Sequence, residues 1–215
     1  MYDAAVFDFD GVLTQPTPGA VLDEAARESL RAVGVDPTPR AVGHARSSDL
    51  GRVRRLCAAH GLDPDAFVET RDAHTAAAQA AALRDGRKPT YDDVGALADV
   101  AARGRTVAIV SNNQQELIDR FVAREEPADV AVAYGREASV AGLRRKKPRP
   151  YYLRRALDDV GVAPDRALYV GDKTKDVLAA RALGADAAFV RRPHREDYRV
   201  GAAPDHEVRT LRALP

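Results

Sequence analysis

Tryptophan is absent from this chain, and cysteine and methionine occur once each. A single cysteine, Cys57, excludes a disulfide framework and points to a reducing compartment. Charge of one sign is also lacking. The 33 lysines and arginines against 32 acids leave a net charge of +1, so no global field recruits nucleic acid or an anionic membrane. No apolar run approaches the roughly 20 residues a membrane span requires. The opening Met1-Tyr2-Asp3 carries no basic stretch and no small-residue cleavage site follows, so no signal peptide is expected and the expected location is cytoplasmic. The histidines His44, His60, His74, His194 and His206 are scattered without ligand spacing on a helix, which argues against zinc.

What is present is a soluble globular composition, 45% hydrophobic and 30% charged over 215 residues. At roughly 100–200 residues per domain, that is one large domain or one carrying an insertion. Ala4–Phe9 is short and apolar and predicts a buried strand that Asp8-Phe9-Asp10-Gly11 stops. From there to about residue 87 the pattern is helical. Val21, Leu22, Ala25, Ala26, Leu30 and Val33 share one face of a helix closed by Gly34. Leu50, Val53, Leu56 and Cys57 mark a second, with Ser47 or Ser48 as its cap, and Asp63-Pro64 opens a third that runs to Gly86.

After Lys88-Pro89 helices and strands alternate. Helices are predicted over 92–103, 114–124, 150–160 and 174–183. Strands are predicted over 106–110, 130–134, 167–170 and 187–190, with a short element near 207–214. This alternation predicts an α/β fold: a Rossmann-like, doubly wound parallel sheet formed by residues 1–15 and 89–215, with an inserted helical cap over 16–88.

In such a sheet ligands bind at the carboxyl ends of the strands, so Asp8, Asp10, Ser111 and Asp172 should gather at one edge. Asp8 and Asp10, two apart on a strand, point to the same side. Carboxylates so placed must share a proton or hold a cation. Asp172 adds a third acid, and Asp176 a fourth in the first turn of the next helix, which Thr174 could cap. Hard oxygen donors of this kind describe a Mg²⁺ site completed by a substrate phosphate.

Four segments carry a resemblance. Phe7-Asp8-Phe9-Asp10-Gly11-Val12-Leu13-Thr14, Val107-Ala108-Ile109-Val110-Ser111-Asn112, Lys147-Pro148-Arg149-Pro150 and Val170-Gly171-Asp172-Lys173-Thr174-Lys175-Asp176-Val177 resemble, in order, the four motifs of the haloacid dehalogenase-like hydrolases. The helical insert resembles the cap of their phosphoglycolate-phosphatase-like branch. The resemblance implies Asp8 as nucleophile on phosphorus and Asp10 as general acid–base. It implies Mg²⁺ held by Asp8, the carbonyl of Asp10 and Asp172, with Asp176 behind, and a phosphoryl group bound by Ser111, Asn112 and Lys147. Lys146, one residue earlier in a basic run, could stand in for Lys147, although the adjoining Pro-x-Pro favours the latter.

Val42–Ser47 resembles a cap loop that faces substrate, with Arg46 or His44 reading the leaving group; an ordinary polar loop is the alternative. Cys57 is expected in the core. Departures from the family pattern are Gln15-Pro16-Thr17-Pro18 after the first motif, and Lys173 where serine or threonine is common. The implied activity is Mg²⁺-dependent hydrolysis of a small phosphorylated metabolite, resembling phosphoglycolate or a sugar phosphate, through an aspartyl-phosphate. A phosphomutase and a non-catalytic binding module are the alternatives. Asp10 disfavours dehalogenation, and the absence of lysine from 16–87 disfavours Schiff-base chemistry. No nucleic-acid or membrane partner is expected, and the oligomeric state is open.

Overall fold

A computed structural model describes residues 1–127 and 130–215. Six parallel strands, β1 (Ala4–Phe7), β2 (Thr106–Gln114), β3 (Val130–Arg136), β4 (Ala167–Gly171), β5 (Asp186–Val190) and β6 (His206–Val208), form one sheet in the order β3-β2-β1-β4-β5-β6. β1 is therefore central, flanked by β2 and β4, and the chain reverses its direction of winding there. Nine helices connect or flank the strands: α1 (Gly19–Ala32), α2 (Pro39–Ala45), α3 (Leu50–His60), α4 (Pro64–Arg84), α5 (Ala96–Ala102), α6 (Gln115–Glu125), α7 (Val140–Arg145), α8 (Tyr151–Val160) and α9 (Thr174–Arg181), counted among the described residues.

Alternation along β1 sets the layers. Ala5 and Phe7 face a core shared with Leu97 and Val100 of α5 and Leu117, Ile118 and Phe121 of α6. Ala4 and Val6 face the opposite core, built on Tyr152, Leu153, Ala156 and Leu157 of α8 and Val177 and Ala180 of α9. A sheet covered on both faces requires apolar strands, and β1, β4 and the Val107–Ser111 stretch of β2 are buried on either side of the site.

The four helices after β1 make a third cluster around Leu30, Val42, Val53, Leu56, Cys57, Phe67 and Val68. Two contacts tie that cluster to the sheet. Ala76, Ala80 and Leu83, on the second half of α4, pack in the sheet-side core with α6. Val140 and Leu143 of α7 reach back into the helical cluster.

The structure differs from the sequence expectation in several places. β1 stops at Phe7, because the Phe9 carbonyl accepts from Val12, Leu13 and Thr14 in a tight turn. α3 is capped by Asp49, whose carboxylate accepts from the Arg52 N–H, and not by Ser47 or Ser48; Ser47 instead accepts from the Asp49 N–H. The 92–103 helix is confined to Ala96–Ala102, because Asp93 is used as a tertiary anchor, accepting from Arg192, Thr210 and the Leu211 N–H. α2 and α7, seven and six residues long, stand where no helix was expected. Each is opened by a hydroxyl cap, Thr38 and Ser139, and held by contacts made elsewhere in the chain.

Candidate active site

The ends of β1, β2 and β4, with the first turn of α9, place four acids and Ser111 at one sheet edge. The Asp8 N–H donates to the Val170 carbonyl, continuing the ladder one residue beyond β1, and its Oδ1 accepts from the Phe9 N–H at 2.8 Å. Across β4, Gly171 permits the closest approach in the site: a Cβ there would overlap the Asp176 side chain. Asp176 closes the first turn of α9 by accepting from the Lys173 N–H at 3.0 Å. Lys173, not Thr174, is therefore the N-cap of α9, and the Thr174 hydroxyl is engaged with Tyr198 and the Gly201 N–H.

Asp8, Asp172 and Asp176, all buried, each bring an oxygen within 4.8 Å of the others. Repulsion in such a triad is severe in a low dielectric, and lysines answer it. Lys147 Nζ lies 2.9 Å from Asp8 Oδ1 and 2.8 Å from Asp176 Oδ1, and it also donates to the Val110 carbonyl and the Tyr169 hydroxyl. Of the two candidate lysines the structure brings Lys147 to Asp8. Lys146 points along the cavity and donates to the Ser48 carbonyl. The Asn112 side chain fixes Lys147 by accepting from its N–H at 2.8 Å and donating to its carbonyl at 3.1 Å. Ser111 is buried and accepts from the Asn113 N–H.

Burial pushes the Asp8 carboxyl up, but Lys147, Lys173 and Lys175 outweigh it and hold the group below the ordinary carboxylate range. Asp176 goes the other way: burial, joined by repulsion from Asp8, raises it despite Lys147. Lys147 is raised, because Asp176 and Asp8 overcome its burial. Asp172 is held low against burial by His194 at 3.0 Å, Lys173 at 2.6 Å and Arg195 at 2.9 Å.

Asp10 stands apart from the triad. Its Oδ1 lies 2.5 Å from Lys88 Nζ and 3.2 Å from the Thr17 hydroxyl, and its side chain keeps 29% exposure, the most open of the four acids. Lys88 is fully buried and also donates to Thr17 and Gln79. Sequence reasoning missed Lys88, Thr17 and Gln79 at this position, because their approach depends on how α4 folds back.

A cavity of about 260 Å³ opens over Asp8 and Asp10. Sheet-edge residues Ser111, Asn112 and Gln114 line one wall, and Arg46, Ser47, Arg71 and Gln79 from the helices after β1 line the other. Arg46 reaches the cavity while paired to Asp23, whereas His44 faces a separate concavity with His60 and Arg55. Asp72 joins Arg71, its neighbour on α4, to Arg136 at the end of β3 in a buried ion cluster. Lysine is scarce here, five of the 33 basic residues. All five, Lys88, Lys146, Lys147, Lys173 and Lys175, either line the cavity or pair with the site's acids. That concentration was a readable signal: a compact ammonium fits between close oxygens where a planar guanidinium does not.

The donor chemistry fits a hard divalent cation. Oxygens of Asp8, Asp172 and Asp176 converge, and Lys173 Nζ lies against Asp172 Oδ1 and the Asp10 carbonyl.

The family model for haloacid dehalogenase-like hydrolases matches residues 2–184. The phosphoglycolate phosphatase of Rhodospirillum rubrum is 30% identical over 198 residues, covering 86% of this chain and 77% of that protein. The phosphoglycolate phosphatase of Pectobacterium atrosepticum is 28% identical over 184 residues, covering 83% and 75%. The crystal structure of CbbY from Rhodobacter sphaeroides in complex with phosphate superposes with a TM-score of 0.72 at 20% identity, covering 100% of this chain and 96% of that one, a likeness of fold. The chain belongs to the haloacid dehalogenase-like hydrolases, on the branch of its phosphoglycolate phosphatase relatives, and is an enzyme of the phosphatase kind.

Proposed function

We propose that the protein is a Mg²⁺-dependent phosphatase of a small phosphorylated metabolite, with Asp8 as nucleophile, and that residues 16–88 form a cap over a core of residues 1–15 and 89–215. The observation that carries this reading is the placement of Asp8. Its carboxylate is held below the ordinary range by Lys147, Lys173 and Lys175 against its burial, has 3% exposure, is fixed by the Phe9 N–H and Lys147, and lies at the floor of the cavity. A fixed, desolvated carboxylate facing a cationic pocket is suited to attack phosphorus.

In the first step an Asp8 oxygen forms a bond to phosphorus as the ester oxygen departs, and Asp10 donates the proton that the leaving oxygen requires. In the second, Asp10 removes a proton from a water that attacks the same phosphorus, the bond to Asp8 breaks, and inorganic phosphate leaves. Ser111 and the Asn112 N–H would bind phosphoryl oxygens at the start of α6, and Lys147 would neutralise charge on them. Mg²⁺ held by Asp8, Asp172 and the carbonyl oxygen of Asp10, with Asp176 behind, would add positive charge to the transferring group. Lys88 and Thr17 orient Asp10, whose exposure leaves its carboxyl open to the cavity.

The wall opposite Asp8 favours a leaving group that itself carries an anion. Arg71, Arg136 and Lys146 line it, and Asp72 is the acid among them. Burial together with Arg136, Lys175 and Arg71 brings Lys146 down to about 8. Phosphoglycolate, which the relatives' names carry, and phosphorylated sugar acids have that character.

The test is phosphate release from a panel of phosphomonoesters with and without Mg²⁺. Asp8→Asn should lower turnover by at least about a thousandfold while its circular dichroism and melting curve stay those of a folded protein. Retained turnover in that variant overturns the assignment of the nucleophile. Equal kcat/KM for esters with and without a second anion overturns the reading of the wall.

A further inference from the structure

Lys173 does not behave as a surface lysine. Its Nζ lies 3.1 Å from the carbonyl oxygen of Asp10 and 2.6 Å from Asp172 Oδ1. Those are two of the oxygens that the proposed Mg²⁺ site requires. The other oxygen of Asp172 is taken by His194 Nε2 and Arg195 Nε, so Oδ1 is the one turned toward a cation, and the ammonium holds it. Asp8, Asp172 and Asp176 all act on Lys173 in the same favourable sense, against its burial.

We propose that the Lys173 ammonium is a built-in counter-ion of the cation site, which keeps the metal-free acids paired and which a divalent cation must displace in order to bind. The inference rests on the reading that Asp8, Asp172 and the Asp10 carbonyl hold the metal. An ammonium offers three N–H donors and one positive charge to oxygens that would otherwise repel one another across a buried gap. It is removable where Lys147 is not. Lys147 is enclosed at 2% side-chain exposure, whereas Lys173 keeps 25% and lines the cavity, so its stem has open space to swing into. The backbone of Lys173 remains the N-cap of α9 whichever way its side chain lies, since Asp176 accepts from its N–H. Displacement therefore costs the charge-assisted contacts and leaves the helix start intact. Two consequences follow. The lysine lowers metal affinity, and it stabilises the metal-free protein.

The experiment measures Mn²⁺ binding, as free Mn²⁺ by electron paramagnetic resonance, in wild type, Lys173→Ser, Lys173→Met and Asp172→Asn. Thermal unfolding is recorded beside it in EDTA and in saturating Mg²⁺. Lys173→Met keeps the stem and removes the charge, so it separates loss of the ammonium from loss of packing. The expected result is Mn²⁺ binding about tenfold tighter in both lysine variants, the change that losing one charge-assisted hydrogen bond corresponds to, and binding abolished in Asp172→Asn. In EDTA both lysine variants should melt below wild type, and Mg²⁺ should raise their Tm by more than it raises that of wild type. Equal or weaker Mn²⁺ binding in the lysine variants, with binding still lost in Asp172→Asn, overturns the counter-ion role and leaves the metal site standing. Absence of binding in all four proteins, or unchanged binding in Asp172→Asn, overturns both.

Discussion

Lys147 shows how one residue can hold a site together. It is enclosed between Asp8 and Asp176, and removing it would leave two buried carboxylates facing each other. Breaking a buried pair by deleting one partner costs about 3–5 kcal/mol, more than the net worth of the pair itself. Lys147→Met should lose stability of that order in urea unfolding near neutral pH, and adding Asp176→Asn should restore part of it by removing the unpaired charge. An unchanged midpoint in Lys147→Met would mean that the acids find other partners. The lysines also divide by role. Lys147 and Lys88 are sealed in and orient acids, whereas Lys146, Lys173 and Lys175 line the cavity. The motif around Lys147 was readable in the sequence because Pro148 and Pro150 mark it. Lys88 was not, because nothing near it in the chain shows that Asp10 and Gln79 meet there.

At the scale of elements, the strand ends deliver the chemistry and the helix starts refine it. β4 ends at Gly171, Asp172 follows it, and α9 begins at Thr174 with Asp176 packed over the glycine. Gly171→Ala should push α9 away from β4, with a stability loss of about 1–3 kcal/mol and a larger proportional loss of turnover, since Asp176 and the Lys147 contact move with the helix. Wild-type kinetics in that variant would show that the first turn of α9 tolerates the shift. The strands and most long helices were legible, because period 2 and period 3.6 patterns persist over enough residues. α2 and α7 were not: at seven and six residues they carry too few repeats to show a period, and Val42 and Leu143 are held by the third cluster from outside. The 92–103 pattern misled for the opposite reason, since Asp93 serves Arg192 and Leu211 in place of a helix start.

For the whole molecule, charge placement matters more than charge balance. A net charge of +1 conceals a cavity whose far wall gathers Lys146, Arg71 and Arg136. Burial, reinforced by those cations, sets Lys146 to about 8 in the folded state against an ordinary 10.5. Between those values the unfolded chain holds a proton that the folded chain has released, so this residue makes stability rise with pH from about 8 to about 10.5. The same loss of charge should raise KM for substrates with an anionic leaving group above about pH 8. Urea unfolding and KM measured at about pH 7 and about pH 9.5, in wild type and Lys146→Met, check both. The variant should lack this part of the stability rise and show a flatter KM profile. Matching profiles would remove Lys146 from the wall. No helix among the described residues is long and apolar enough to cross a membrane. The sequence by itself determined the alternation of strands and helices, the acids at the strand ends and the family, because these depend on residue types at short spacing. Only the tertiary structure decided that Lys88 meets Asp10, that Lys173 reaches the Asp10 carbonyl, and that α4 faces β3 across the cavity through Asp72 and Arg136. Those contacts join residues from 64 to 163 positions apart, and no local pattern encodes a partner at that distance.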